Sequence, residues 1–342
     1  MKISIAIKLI LASFLYRSGR LNWKLKQLSR FNYVILAYHR ILPRDKAGKG
    51  VQAGMYVTPE TFSSHLEYLR EHFDIITLKD LAKVCREAPA RSPAKPICLV
   101  TFDDGWKDFY DFAFPLLKKY QVPATVFLPT GFIGTNKRFW TDRFAYILRH
   151  RQVNAKNVSV HPGILDVIQE IQRLQGSFED LLESGIAILK RYPLKTVEKI
   201  VNELARIWSV ELHSLDRDFI NWDEVHKMMD TGLISFGSHT DGHQILTTID
   251  KEDIEKELSV SKEKLLEQGV VDPSFISFCY PNGNYTQDIA KMVRSAGYHL
   301  AVTTRKGWNR FDADMFSLKR ISLHQDMAST VPMFACRVAG LI

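Results

Sequence analysis

Short runs of apolar residues alternate with longer amphipathic stretches over most of this chain. The apolar runs have the length of buried strands, and the stretches between them carry cap residues and apolar positions at helical spacing. The clearest predicted strands are Asn32–Tyr38, Ile97–Phe102, Ala124–Leu128 and Leu318–Leu323. Strands that alternate with helices favour an α/β fold with a mainly parallel sheet or barrel at its centre.

The middle of the chain breaks this alternation. Between about residues 138 and 230, several helical stretches follow one another with few strand-like runs. We therefore predict an apolar and basic N-terminal segment (1–30), a first part of the α/β domain (31–137), a helical insertion (138–230) and a second part of the domain (231–342). The insertion is expected to be either a separate small helical domain or a lid or wall over a cleft.

Composition narrows the class of protein without naming a function. The 342 residues are 46% hydrophobic, which suits a packed core, and the net charge of +8 favours anionic surfaces such as phospholipid headgroups or acidic glycans. No nucleic-acid reading motif accompanies the charge, so nucleic acid is not an expected partner. The cysteines at 85, 98, 279 and 336 show no paired spacing. We expect them to be free thiols, which favours a reducing compartment.

The N-terminal segment has several interpretations. The stretch from Ile3 to Tyr16 is apolar but contains Lys8 and is too short to span a bilayer comfortably. Ile3, Ile7, Ile10 and Phe14 fall on one helical face and basic residues follow, as in an interfacial anchor. An ordinary amphipathic helix packed on the domain fits equally well, and a signal peptide fits loosely. The expected location is cytoplasmic or peripheral at the cytoplasmic membrane, with an exported form as the alternative.

Two groups of polar residues follow predicted strands. Asp103 and Asp104 come directly after a buried strand, and His239 and His243 follow a short apolar run far downstream. In parallel α/β folds the ligand site lies at the carboxyl ends of the strands. One carboxylate and two imidazoles would form a three-point site for a borderline metal, and the second acid would be a general base. Taken alone, each group is also typical of a helix cap or a surface loop.

Three sequence motifs carry a family resemblance. They are Thr101-Phe102-Asp103-Asp104-Gly105, Ser238-His239-Thr240-Asp241-Gly242-His243 and Phe278-Cys279-Tyr280-Pro281-Asn282-Gly283-Asn284-Tyr285. In this order they resemble the motifs of polysaccharide deacetylases, the NodB-homology proteins of carbohydrate esterase family 4. The resemblance covers roughly residues 31–137 and 231–342. It implies a distorted (β/α) barrel with fewer than eight strands, interrupted here by the helical insertion.

The resemblance also assigns roles at the metal site. Asp103 corresponds to the general base, and Asp104, His239 and His243 correspond to the metal ligands. This donor set suits one divalent metal, with zinc as the first expectation and cobalt, nickel or manganese as alternatives.

The remaining assignments depend on positions at strand ends. The backbone amide of Asn282 corresponds to an oxyanion donor, and His324 corresponds to the general acid. Many family members carry an arginine just before the proline motif, where it tethers the base; here Cys279 stands at that place. Arg320, on a neighbouring predicted strand, is a candidate to supply the missing charge. His39 is expected near the floor of the cleft.

Together these features predict an enzyme with a glycan substrate. We expect a metal-dependent hydrolase that removes N-acetyl groups from amino sugars of a bacterial polysaccharide or glycan intermediate. One alternative is a hydrolase of another amide or of an O-acetyl ester on the same metal centre. The other is a catalytically silent glycan-binding protein, which would have no need of a base beside a metal site.

Overall fold

The structure, a computed structural model, describes residues 5–29, 32–47, 54–87, 95–152, 162–211 and 217–341. The prolines at 89 and 93 predict a surface loop over Glu87–Lys95. Most of that segment, residues 88–94, lies outside these ranges, as does the first apolar residue, Ile3. Two compact units are present. The first contains the described parts of 1–43, 54–135 and 219–342, and the second contains those of 44–53 and 136–218.

The secondary structure elements are numbered in chain order. The strands are β1 (Asn32–Tyr38), β2 (Arg40–Ile41), β3 (Tyr56–Val57), β4 (Asp74–Ile75), β5 (Ile97–Phe102), β6 (Ala124–Leu128), β7 (Ile234–Ser238), β8 (Ser277–Cys279), β9 (Leu300–Lys306), β10 (Asn309–Arg310) and β11 (Leu318–Ser322). The helices are α1 (Ile5–Arg17), α2 (Arg20–Ser29), α3 (Arg44–Ala47), α4 (Pro59–His72), α5 (Leu78–Glu87), α6 (Phe114–Tyr120), α7 (Trp140–His150), α8 (Pro162–Gln172), α9 (Phe178–Leu189), α10 (Leu194–Ile207), α11 (Trp222–Met229), α12 (Lys251–Glu267), α13 (Gln287–Ser295), α14 (Gln325–Ala328) and α15 (Val331–Val338).

A closed parallel barrel forms the centre of the first unit. Among the described residues its strand order is β1-β11-β9-β8-β7-β6-β5, and β5 pairs in parallel with β1 to close the ring. The barrel therefore has seven strands, which confirms the expected distorted (β/α) barrel with fewer than eight. The short strands β10 and β4 extend the sheet at β1 and β5.

The barrel strands are nearly continuous apolar runs because they are buried on both faces. Every residue of β5 and β6 is buried, as are all residues of β1 after Asn32. A parallel sheet covered by helices needs such nearly continuous apolar strands. All the barrel strands end at the same rim of the barrel, so the residues that follow the strands lie at this rim.

The second unit is helical. Its helices α7, α8, α9 and α10 enclose a core of aliphatic and aromatic residues from Phe144 to Val210. At Gly185 a Cβ atom would lie 2.4 Å from the Phe144 ring, so only glycine permits this approach of α9 to α7. No helix among the described residues combines the length and the apolarity that a bilayer span requires.

Candidate active site at the barrel rim

The two adjacent acids stand where β5 leaves the barrel. Asp103 and Asp104 are each only 3% exposed, and the backbone amide of Asp103 donates to Tyr38 O across the strand pair at 3.0 Å. Asp104 has a φ of 74°, in the left-handed region that non-glycine residues rarely adopt. Gly105 follows with a φ of 63°, and a Cβ there would lie 2.8 Å from Leu128. This tight turn directs the two neighbouring carboxylates to different partners.

Asp104 meets both predicted histidines. Its Oδ1 lies 3.2 Å from His243 Nε2 and 3.5 Å from His239 Nε2. His239 Nδ1 lies 2.7 Å from the carbonyl oxygen of Cys279, so its Nδ1–H donates there and Nε2 is the nitrogen that faces the cluster. The indole of Trp106 donates to Asp104 Oδ2 at 3.0 Å. These bonds orient the three side chains towards one another.

The three side chains could hold a metal ion. The ligand atoms of Asp104, His239 and His243 all lie within 4.8 Å of one another. Atoms that share one tetrahedral zinc at about 2.0–2.2 Å lie about 3.3–3.6 Å apart, close to the distances between Asp104 and the histidines. The His243 side chain is 27% exposed, so the cluster is open to solvent on that side. One carboxylate, two imidazoles and an open side form a donor set that fits a catalytic divalent metal.

The loop that carries the histidines is held by a buried carboxylate. Thr240 and His243 have φ values of 64° and 53°, which cost backbone free energy. Glu257 on α12 is buried, and its Oε2 accepts from the amides of Asp241 at 3.0 Å and Gly242 at 2.7 Å. These charge-assisted bonds stabilise the loop conformation that presents His243.

Asp103 forms a buried ion pair with Arg320 of β11. Both terminal nitrogens of Arg320 donate to Asp103, each at 2.7 Å, and the Arg320 side chain is fully buried. The guanidinium also donates to Thr303 O at 2.9 Å and to Cys279 Sγ at 3.2 Å. Burial by itself raises the pKa of Asp103, but the charge and hydrogen bonds of Arg320 outweigh it and the pKa falls below its usual value. Asp103 is thus ionised at neutral pH.

Asn282 lies in a short 3-10 turn directly after β8. Its φ is 57°, and its carbonyl oxygen accepts from Thr304 Oγ1 at 3.2 Å, which ties the turn to β9. The structure therefore places the proline motif at the same rim as the acids.

His324 follows β11 at that rim. The amide of Leu323 donates to Ala37 O of β1 at 2.9 Å, and the imidazole of His324 hydrogen-bonds to Asp326 through Nδ1. The first strand ends nearby with His39, whose Nε2 lies 3.7 Å from Asp103 Oδ2. The catalytic roles predicted for Asn282 and His324 stay predictions.

Sequence reasoning gave no role to two residues that support the site. Trp106 carries a signal that could have been used, because it stands two positions after Asp104 in the same turn. Glu257 lies on α12, and the sequence does not show that it bonds a loop 15 residues earlier.

The fold and the rim define the general class of protein. A seven-stranded parallel barrel carries a buried, ionised acid beside a three-donor cluster where its strands end. An acid beside side chains that could hold a metal ion is the equipment of a hydrolase.

The chain belongs to the polysaccharide deacetylase family, a group of hydrolases that act on carbon–nitrogen bonds other than peptide bonds. The family model described as polysaccharide deacetylase matches residues 90–301, more than half of the sequence.

Relatives and solved structures agree with this assignment. The chain is 33% identical over 123 residues to the poly-β-1,6-N-acetyl-D-glucosamine N-deacetylase of Staphylococcus epidermidis, a match covering 33% of this chain and 41% of that enzyme. It is 22% identical over 297 residues to the Bacillus subtilis protein YxkH, named as a polysaccharide deacetylase, covering 86% of this chain and 73% of that protein. The structure of the Streptococcus pyogenes deacetylase PplD in complex with acetate matches with a TM-score of 0.56 at 20% identity, covering 87% of this chain and 95% of PplD.

Proposed function

We propose that this protein is a metal-dependent hydrolase that removes N-acetyl groups from amino sugars of a bacterial polysaccharide or glycan intermediate. The observation that carries the proposal is the convergence of Asp104, His239 and His243 beside the ion pair of Asp103 and Arg320. A binding module or scaffold would have no use for an ionised acid buried next to a three-donor cluster.

Asp103 is the proposed general base. It is ionised and held by two hydrogen bonds from Arg320, and each carboxylate oxygen keeps a second lone pair that can accept a proton from water. Arg320 fixes the orientation of this carboxylate, so the proton acceptor is in place before substrate binds.

Asp104, His239 and His243 are the proposed metal ligands, with zinc first and cobalt, nickel or manganese as alternatives. When bound, the metal would polarise the acetyl carbonyl and lower the pKa of a water molecule from 15.7 to about 7. The bond from His239 to the Cys279 carbonyl keeps the imidazole in the tautomer that such binding needs.

His324 and Asn282 complete the proposed reaction. The imidazolium of His324 would give a proton to the departing sugar amine, and its hydrogen bond to Asp326 would hold the ring in orientation. The backbone amide of Asn282 would donate to the oxygen that becomes negative in the tetrahedral intermediate. Their positions after β11 and β8 support these roles, because both strands end at the rim that carries Asp103.

The proposed substrate class is an N-acetylglucosamine polymer. The name of the Staphylococcus epidermidis relative specifies poly-β-1,6-N-acetyl-D-glucosamine, so oligomers with this linkage are the first substrates to test. The predicted peripheral membrane association also stays a proposal, as does the location of the protein.

The test is release of acetate. Purified protein with added zinc would be incubated with β-1,6-linked and β-1,4-linked N-acetylglucosamine oligomers and with an O-acetylated sugar, and Asp103→Asn would be the matched control. We expect acetate from the N-acetylated oligomers, at a rate about 10²–10⁴-fold lower in the variant.

The outcomes separate the alternatives. Acetate from the O-acetylated sugar alone would replace the N-deacetylase proposal with an esterase. Binding of oligomers without acetate release from any substrate would indicate a glycan-binding protein.

A further inference from the structure

Exposed apolar side chains of the first unit are concentrated on two helices, α1 and α2. Among the described residues, seven large hydrophobic side chains are exposed, and six of these lie on α1 or α2. The six are Ile7, Ile10, Leu11, Phe14, Tyr16 and Trp23. Tyr16 is in ring contact with Tyr68 of α4 and lies on the opposite side of α1 from Ile7. We call the other five the outer face of α1 and α2. The seventh is Leu165 in the helical unit. Monomeric proteins rarely leave such clusters in water unless the surface binds something.

The two helices are packed on the barrel unit by their other side. Ala12 is fully buried, and the thiol of Cys336 on α15 donates to its carbonyl oxygen at 3.7 Å. Leu21 and Leu25 of α2 are also buried. These contacts fix α1 and α2 to the domain, so the outer face is a defined surface of the folded protein.

The outer face of α1 follows helical spacing. Ile7, Ile10, Leu11 and Phe14 are separated by three and four residues, which places them on one side of the helix. Ile10 is 72% exposed and Phe14 is 59% exposed. An ordinary packed amphipathic helix turns its apolar side to the core and a polar side to solvent. Here α1 is apolar towards both, so its packing against α15 does not account for the outer residues.

The charged residues of α1 and α2 themselves have one sign. The chain contains no acidic residue before Asp45. The described basic residues of the two helices are Lys8, Arg17, Arg20, Lys24 and Lys26. A second copy of this chain docking face to face would bring the same positive charges together. The positive charges would instead attract an anionic surface. An apolar helical side flanked by basic residues and a Trp is also the arrangement found in helices that lie at membrane interfaces.

We propose that the outer face of α1 and α2 docks on a lipid surface that contains anionic headgroups. Ile7, Ile10 and Phe14 would enter the boundary between headgroups and acyl chains, and the basic residues would lie against lipid phosphates. The binding is peripheral and reversible, and it is independent of the proposed hydrolase activity.

The first test removes the apolar contribution. Full-length protein would be sedimented with vesicles of phosphatidylcholine containing one third phosphatidylglycerol, and with vesicles of phosphatidylcholine alone. We expect binding to the anionic vesicles, weakened at least about tenfold by Ile7→Gln, Ile10→Gln and Phe14→Gln together. Leu165→Gln, which removes the exposed apolar residue outside the face, is the matched control and should bind as the wild type does.

The second test removes charge. Arg17→Gln, Arg20→Gln and Lys26→Gln together should weaken binding about 100-fold, since each basic residue near an anionic surface contributes about fivefold. Lys251→Gln, Lys256→Gln and Lys291→Gln remove the same charge from exposed positions of α12 and α13 and are the control. Added salt should weaken wild-type binding more than that of the α1–α2 charge variant.

Trp23 reports the contact directly. It is 62% exposed, so vesicles with brominated acyl chains should quench its fluorescence, and Trp23→Phe should lose that quenching.

Equal binding of the wild type and both α1–α2 variants would overturn the proposal, as would equal binding to both kinds of vesicle. A dimer in vesicle-free solution that the triple apolar variant abolishes would assign the face to a second copy. Acetate release from dissolved oligomers should be unaffected by these variants, so a failure here is distinct from a failure of the proposed function.

Discussion

The barrel unit and the helical unit bury different kinds of side chain. Every polar or charged residue that is buried among the described residues belongs to the barrel unit, including Asp103, Asp104, His239, Glu257 and Arg320. The core of the helical unit, from Phe144 to Val210, is built of aliphatic and aromatic residues.

This difference indicates that the barrel unit keeps its buried charges for a purpose other than stability. A buried charge costs several kcal/mol unless it is paired and hydrogen-bonded, and replacing such a pair by apolar residues is often neutral or stabilising. The barrel unit nevertheless keeps Asp103 against Arg320 and Asp104 against two histidines. The proposed chemistry explains this retention, whereas the helical unit has the composition expected when a core only has to fold.

The largest expected effect is loss of the metal from the barrel rim. His239→Ala removes one of three proposed ligands, so the purified variant should hold much less zinc than the wild type and release almost no acetate. Elemental analysis after dialysis measures the metal content, and circular dichroism checks the fold. Equal zinc in both proteins would remove Asp104, His239 and His243 from the role of ligands.

Asp103→Asn should give the next largest effect. The amide cannot accept a proton from water, so the rate should fall by about 10²–10⁴ while the zinc content stays at the wild-type level. Initial rates of acetate release together with elemental analysis test both parts. A rate near that of the wild type would show that the ion pair with Arg320 is structural.

His324→Ala should have a smaller and selective effect. Only an amine leaving group needs a proton, so deacetylation of N-acetylated sugars should slow much more than hydrolysis of an activated aryl acetate. The measurement is the ratio of the two rates in variant and wild type. If both substrates slow equally, the general acid lies elsewhere.

The smallest effect on rate is expected in the helical unit. Leu204 is fully buried in its core, and Leu204→Ala should lower the free energy of unfolding by about 2–5 kcal/mol through the cavity it leaves. The rate per folded molecule should stay unchanged. Urea unfolding and active-fraction kinetics measure the two quantities. A fall in rate per folded molecule would favour the alternative in which the insertion acts as a lid or wall of the cleft.

Much of the barrel was predictable because its signals are local. Asn32–Tyr38, Ile97–Phe102 and Ala124–Leu128 occupy the same residues as the predicted strands. The sequence Thr58-Pro59-Glu60, a cap residue followed by proline, predicts the start of a helix. In the structure α4 begins at Pro59, and the hydroxyl of Thr58 accepts from the Thr61 amide at 3.3 Å. Strand ends that depend on neighbouring strands were less predictable. The run Phe275–Tyr280 also predicts a strand, but only Ser277–Cys279 forms one in the structure.

The residues of the candidate site also differ in how well the sequence predicted them. The sequence pointed to Asp104, His239 and His243, since each follows an apolar run in a chain that alternates strands and helices. It offered Arg320 only as a candidate partner of Asp103, because that pair joins residues 217 positions apart.

The sequence by itself determined the strands, the acids and histidines that follow them, and the acid-free, basic character of the chain before Asp45. Closure of the barrel through β1 and β5 decided which strand ends face one another. It brought the fully buried Arg320 to Asp103, with Cys279 accepting a hydrogen bond from the same guanidinium. Packing of α1 against α15 likewise decided which side of this mostly apolar helix is exposed on the folded protein. Periodicity fixes the direction of a side chain relative to its own element, and only the packing of distant elements determines what that side chain meets.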